Sequence, residues 1–63
     1  MVSNTEIRVQ QKGTLYELLI IKAINKKAGN KVEGLDNLIR KTIATMEQED
    51  VAWVEKQVAQ IHP

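Results

Sequence analysis

The sequence predicts an all-α domain, a small bundle-like arrangement of three helices preceded by a short extended N-terminal arm. Three segments carry apolar residues at three- and four-residue spacing, and residues that start or stop helices separate the first two. The chain has 63 residues, of which 43% are hydrophobic, and this composition is typical of one small globular domain spanning 1–63. An α+β fold with an N-terminal β-hairpin is the alternative.

Residues 1–13 are predicted to form the arm. Ile7 and Val9 alternate with polar residues, which is a short strand-like pattern. The arm either covers part of the helical core or pairs with residues 15–19 across a turn at residues 11–13. The second of these arrangements is the hairpin of the α+β alternative.

The first helix is predicted at about 14–28. Thr14 and Glu17 have the spacing of a capping box, and Gly29 is a typical helix stop. Residues 18–21 are four consecutive large aliphatics, and a helix spreads them nearly all round its axis. Such a helix needs cover on more than one side, from the arm or from a second copy of the chain.

The second helix is predicted at about 32–46, where one apolar stripe recurs at helical spacing. Asn30 is its expected N-cap, with Glu33 at the capping-box position. Gly34 disfavours a helix interior, so the helix can begin as late as Leu35.

The third helix is predicted at about 47–61, and its acidic first turn suits the positive end of the helix dipole. No Gly or Pro separates it from the second helix. We expect a break there because the apolar stripe changes register between Met46 and Val51.

Catalytic and metal-binding chemistry is poorly represented. The chain has no Cys, and its one His is His62. Glu47, Glu49 and Asp50 form an acidic cluster, but a charged first turn explains them better than a metal site. We expect no enzyme activity, no catalytic residues, no cofactor, no metal and no small-molecule substrate. No apolar run is long enough to span a bilayer, and we expect a cytoplasmic protein.

A compact helix-turn-helix-like DNA-binding regulator is the second functional hypothesis. The residues available for nucleic-acid contacts are Lys26, Lys27, Lys31, Arg40 and Lys41. The third helix would be the usual reading helix, yet its first turn is acidic and phosphates repel it. The formal net charge is only +1, so nucleic-acid binding is the less favoured hypothesis.

Protein binding is the first hypothesis, because the first helix has more apolar surface than a three-helix bundle buries. The chain is expected to self-associate as a homodimer or to bind a protein partner, as a small interaction or regulatory domain. The interface residues expected from the pattern are Tyr16, Leu19, Ile20, Ala23 and Trp53.

Three fragments carry a resemblance to a known family. They are residues 14–20 (TLYELLI), Asn25, and residues 41–51 (KTIATMEQEDV). In these fragments the chain resembles the small transposon-transfer assisting proteins of Gram-positive conjugative elements. The connection between the two blocks is shorter here than in that family. The resemblance covers under half of the chain and implies an accessory role for a phage or conjugative element, but no site residues.

Overall fold

The structure, a computed structural model, describes residues 4–61. It contains three α-helices in this range: α1 (Asn4–Lys27), α2 (Leu35–Ala44) and α3 (Gln48–Ile61). The predicted all-α class is therefore confirmed. The described residues contain no strand, so the hairpin alternative is wrong for them.

α1 is the central element, and α2 packs against it in the antiparallel direction. The start of α2 lies near the C-terminal half of α1, where Lys22 Nζ and Asp36 Oδ1 are 2.9 Å apart. The residue after the end of α2 lies near the N-terminal half, where Gln11 Nε2 donates to the Thr45 carbonyl oxygen at 3.0 Å. These two contacts fix the direction of α2 along α1.

α3 packs against α1 in the parallel direction. Arg8, near the start of α1, pairs with Asp50 in the first turn of α3. Farther along, Leu19 and Val58 line one groove between the two helices. α1 therefore contacts both shorter helices, whereas α2 and α3 contact each other little. At about 1.5 Å per residue, the 24 residues of α1 span roughly 36 Å, which accounts for most of the 42 Å long axis.

The hydrophobic core is small. It consists of one cluster to which each helix contributes two aliphatic side chains: Leu15, Leu18, Leu35, Ile39, Val51 and Val54. Leu15 and Val54 are fully buried. Tyr16, Leu19 and Val58 are among the half-buried residues packed around this cluster. Because domains of this size bury only about 60% of their unfolded surface, their stability is marginal.

The extended arm is the main correction to the sequence prediction. Residues 4–13 are helical and continue directly into the predicted first helix, and residues 1–3 of the arm lie outside the described residues. Gly13 lies inside the helix at a cost of about 1 kcal/mol relative to Ala, but contacts from Arg8 to α3 and from Gln11 to Thr45 hold this part of α1 in place. Thr14 lies in the middle of the helix, so the predicted capping box does not form.

Glycines mark the connection between α1 and α2. Gly29 has φ +76° and Gly34 has φ +81°, which is the left-handed region that favours glycine. α2 begins at Leu35 with Gly34 as its N-cap and no side-chain cap, so Asn30 does not cap it. The predicted break after α2 is present at residues 45–47, where the Asp50 and Val51 amides donate to the Glu47 carbonyl as α3 begins.

Candidate interaction surfaces

The side of α1 that faces away from α2 and α3 presents exposed aliphatic side chains among charged and polar ones, and we call it the outer face. It consists of residues at helical spacing along most of the helix: Val9, Gly13, Glu17, Ile20, Ile21 and Ile24. Ile24 is 53% exposed, Ile21 and Val9 are similarly exposed, and Ile20 is half-buried. Three large aliphatic side chains of this face, Val9, Ile21 and Ile24, are thus exposed to solvent.

Nothing in the described chain covers the outer face. Cover was expected from the arm, through Ile7 and Val9, or from a second copy, but both of these residues belong to α1 and are exposed themselves. Because residues 4–13 extend the helix, they add to its apolar surface. Cover of the outer face by the arm is therefore absent from residues 4–61.

The five residues predicted for an interface occupy four different places. Ile20 lies on the outer face, whereas Leu19 and Ala23 line a groove between α1 and α3. Tyr16 is half-buried and packs against the core cluster. Trp53 lies on α3, half exposed, with Lys12 Nζ 5.1 Å from its ring centroid, a distance at which cations attract aromatic faces. The structure therefore separates Trp53 from Ile20.

The groove lies between the C-terminal halves of α1 and α3, and we call it the α1–α3 groove. Its volume is about 660 Å³, and all its lining residues belong to these two helices. Leu19 and Val58 form its apolar floor against the core. Ala23 on one side and Ala59 on the other leave it open, since neither side chain reaches across. Val58 and Ala59 were not predicted as groove residues, because their role depends on how α3 lies against α1.

The rims of the α1–α3 groove differ in charge. Lys22, Lys26 and Lys27 line the α1 side, and Glu55 lies on the α3 side. Lys22 is paired with Asp36, and its hydrogen bond lowers the pKa of the Asp36 carboxyl below the ordinary aspartate value. Among residues 4–61, neither Lys26 nor Lys27 has an acidic partner within ion-pair distance. The α1 rim therefore has two uncompensated positive charges.

The residues predicted for nucleic-acid contacts do not form one continuous surface. Lys26 and Lys31 line a shared cleft at the α1–α2 connection, and Lys27 lies on the neighbouring α1–α3 groove. Asp36, whose carboxyl pKa is lowered chiefly by Lys22, also interacts electrostatically with Arg40 and Lys31, which lower this pKa further. Lys41 lies in a different cleft, beside the N-terminal half of α1.

The acidic first turn of α3 has a structural partner. Asp50 is 5% exposed, and hydrogen bonds from Arg8 hold the pKa of its carboxyl below the ordinary value.

In the described part of the chain, no group of three His, Cys, Asp or Glu side chains is arranged to hold a metal ion. Within the same residues, no helix has both the length and the hydrophobicity that crossing a membrane requires.

No protein-family model, no curated protein and no solved structure matches this chain. Its function is therefore inferred from the outer face and the α1–α3 groove.

Proposed function

We propose that this chain is a small, non-enzymatic protein-interaction domain of the cytoplasm that self-associates through the outer face of α1. One observation carries the proposal: the longest helix exposes Val9, Ile21 and Ile24 on its outer face, while residues 4–61 bury only six aliphatic side chains in the core. Ile20, Ile21 and Ile24 adjoin one another on this face, and contiguous exposed apolar surface marks interaction sites in soluble proteins.

Self-association also supplies stability that the small core of a domain of this size lacks. Small chains commonly add disulfides, a metal or an oligomeric partner to a marginal core. This chain has no Cys. Burying apolar surface stabilises a complex by roughly 25 cal/mol per Å² removed from water, so covering the outer face stabilises the fold as well as the contact.

The charges of α1 favour an antiparallel pair of copies. The first turn of α1 is acidic at Glu6, and its last turn is basic at Lys26 and Lys27. A two-fold axis across the helix places the acidic end of one copy beside the basic end of the other. A parallel pair would instead bring four lysines together, which costs electrostatic energy.

The outer face is self-complementary in one antiparallel register. With the axis between Tyr16 and Glu17, Val9 faces Ile24 of the second copy and Gly13 faces Ile20 of the second copy. A Cβ atom on Gly13 would have nothing within 4 Å, so there is open space at this point for a large side chain. This register therefore places the small Gly13 opposite the large Ile20 and the apolar Val9 opposite the apolar Ile24.

The test is the solution mass over a range of concentrations, by light scattering on untagged protein. We expect a mass near twice 7.1 kDa at high concentration. Ile24→Glu places a charge in the interface and should give a monomer that is still helical by circular dichroism. Leu38→Glu is the matched control, because Leu38 is also half exposed but lies on α2. A wild-type monomer at every concentration would contradict the proposal.

DNA binding is the second candidate, and the convergence of Lys22, Lys26 and Lys31 in one cleft favours it. The affinity of a protein for the phosphates of DNA falls steeply as the salt concentration rises. The discriminating measurement is a mobility shift of duplex DNA with Lys26→Gln and Lys31→Gln together, since both residues line this cleft. A salt-sensitive shift lost in this variant supports DNA binding, and a dimer that forms without DNA supports the first proposal.

The family resemblance gives the proposal a biological setting. Two of the resembling fragments lie on α1, and the third spans the junction of α2 and α3. We propose on this basis an accessory role for a phage or conjugative element, in which the domain works by contacting other proteins.

A further inference from the structure

We infer that the α1–α3 groove is a second interaction site, which binds an acidic amphipathic helix of a protein partner. The groove lies on the flank of α1, beside the outer face. The inference goes beyond self-association, because the groove is formed within one copy of the chain. Lys26 and Lys27 also take part in the proposed antiparallel pairing, so peptide binding is measured at a concentration at which the chain is monomeric.

The shape of the groove suits a helix. It is an open channel between two parallel helices, with Leu19 and Val58 along its floor and the small side chains of Ala23 and Ala59 at its sides. A partner helix laid along such a channel inserts a stripe of apolar side chains between the two helices, as in other helix-in-groove complexes. The described residues offer no strand edge, so an extended peptide would lack backbone partners there.

The charge of the rims selects an acidic helix. Lys26 and Lys27 have no acidic partner among residues 4–61, and they flank the apolar floor on the α1 side. Acidic side chains along one edge of the bound helix would pair with them. Glu55, on the opposite rim, favours a basic or neutral residue at the other edge of that helix. Complementary charge of this kind sets specificity and association rate more than affinity.

The experiment uses a capped synthetic peptide of about 15 residues, long enough for roughly four helical turns. Leucine and alanine form its apolar face, and glutamate lines one edge of that face. A second peptide has lysine in place of every glutamate. Binding of each labelled peptide to the full chain is measured by fluorescence anisotropy at low salt and again at about 0.5 M NaCl, where exposed charges are screened.

We expect the glutamate peptide to bind at least about tenfold more tightly than the lysine peptide, with the difference shrinking at high salt. Ala59→Leu fills the groove and should weaken binding by about tenfold or more. Ala52→Leu is the matched control, because Ala52 lies one heptad earlier on α3 and does not line the groove. Both variants are first checked for helical content and for solution mass.

A second pair of variants tests the charge. Lys26→Gln with Lys27→Gln should weaken binding of the glutamate peptide, whereas Lys41→Gln with Lys56→Gln removes the same charge elsewhere and should not.

Three results would each overturn the inference. The two peptides could bind equally, or Ala59→Leu and Ala52→Leu could weaken binding equally. The third is no binding up to about 1 mM, which corresponds to a free energy of only −4.1 kcal/mol. Duplex DNA binding that shares the dependence on Lys26 and Lys27 would also overturn it. Loss of the dimer in Ala59→Leu would reassign the groove to self-association, and this too contradicts a partner helix as its occupant.

Discussion

Arg8 holds Asp50 with two hydrogen bonds, from Nε to Oδ2 at 2.8 Å and from Nη2 to Oδ1 at 2.8 Å. Nη2 also donates to Glu49 Oε1 at 2.7 Å. The fork of the guanidinium matches the two carboxylate oxygens, which makes this a directional ion pair. It joins the second turn of α1 to the first turn of α3, and it raises the pKa of Arg8.

The first prediction is that Arg8→Gln frays the start of α1. Residues 4–13 place few side chains in the core, so their helical state depends on the contacts of Arg8 and Gln11 with the rest of the fold. Amide hydrogen exchange followed by NMR should become faster across residues 4–13, with little change in α2. Arg40→Gln removes the same charge on α2 and serves as the control. Unchanged protection of residues 4–13 would show that the Arg8 contacts do not keep this segment helical.

The second prediction concerns acid stability. Because Arg8 lowers the pKa of the folded Asp50 carboxyl, the unfolded state binds a proton more readily. The contribution of Asp50 to stability is complete well above the ordinary aspartate pKa of about 3.9. It is lost as the pH falls from there through the lower pKa of the folded state. Urea unfolding between about pH 7 and pH 2.5 should therefore show lower midpoints in acid.

Asp50→Asn isolates this contribution from those of the other carboxylates. The variant should be less stable than the wild type at neutral pH, and the two should converge as Asp50 becomes protonated in acid. Asp36→Asn is the comparison: Lys22 lowers the pKa of Asp36 as well, but that side chain is 62% exposed, so its effect should be smaller and more sensitive to salt. A constant difference between Asp50→Asn and wild type at every pH would refute the linkage.

The helices were predictable because their patterns are local. The apolar periods and Gly29 lie within a few residues of the elements they define, so the three-helix class follows from them. The start of α1 was not predictable in this way, because it depends on a contact between Arg8 and Asp50, which are 42 residues apart. The alternation of Ile7 and Val9 is too short to distinguish an arm from a helix.

The candidate surfaces were predictable only in part. The sequence shows that the first helix has too many aliphatic residues for one core. It does not show which of them α2 and α3 cover, and so it could not identify Ile24 as exposed or Leu19 as part of a groove. Those assignments need the directions of the two shorter helices along α1.

The third prediction is that replacing glycine by alanine stabilises the fold at Gly13 and destabilises it at Gly29. Gly13→Ala should stabilise the fold by about 1 kcal/mol, because Gly13 lies inside α1 with open space around its missing Cβ. Gly29→Ala should destabilise it by about 1–2 kcal/mol, because a Cβ is strained at φ +76°. Thermal unfolding should show this as shifts of opposite sign, about 4–8 °C per kcal/mol for a domain of this size. All proteins are compared at a concentration at which each is monomeric by light scattering, because Gly13 lies in the proposed dimer interface. A shift of the same sign in both would contradict the prediction.

The fourth prediction tests the antiparallel register of the dimer. The chain has no Cys, so each introduced cysteine is the only thiol. Val9→Cys mixed with Ile24→Cys should give a disulfide-linked heterodimer on mild oxidation, because a disulfide needs Cβ atoms about 3.5–4.5 Å apart.

Either variant alone should give little product, since the two-fold axis holds both copies of that residue far apart. Glu17→Cys should cross-link with itself at the axis, and it also removes a repulsion between two carboxylates. Leu38→Cys, on α2, is the control for random collision, and mass spectrometry separates the heterodimer from each homodimer. Efficient self-linking of both Val9→Cys and Ile24→Cys would instead establish a parallel pair. A dimeric mass without cross-linking above the Leu38→Cys level would show that the interface does not lie on the outer face.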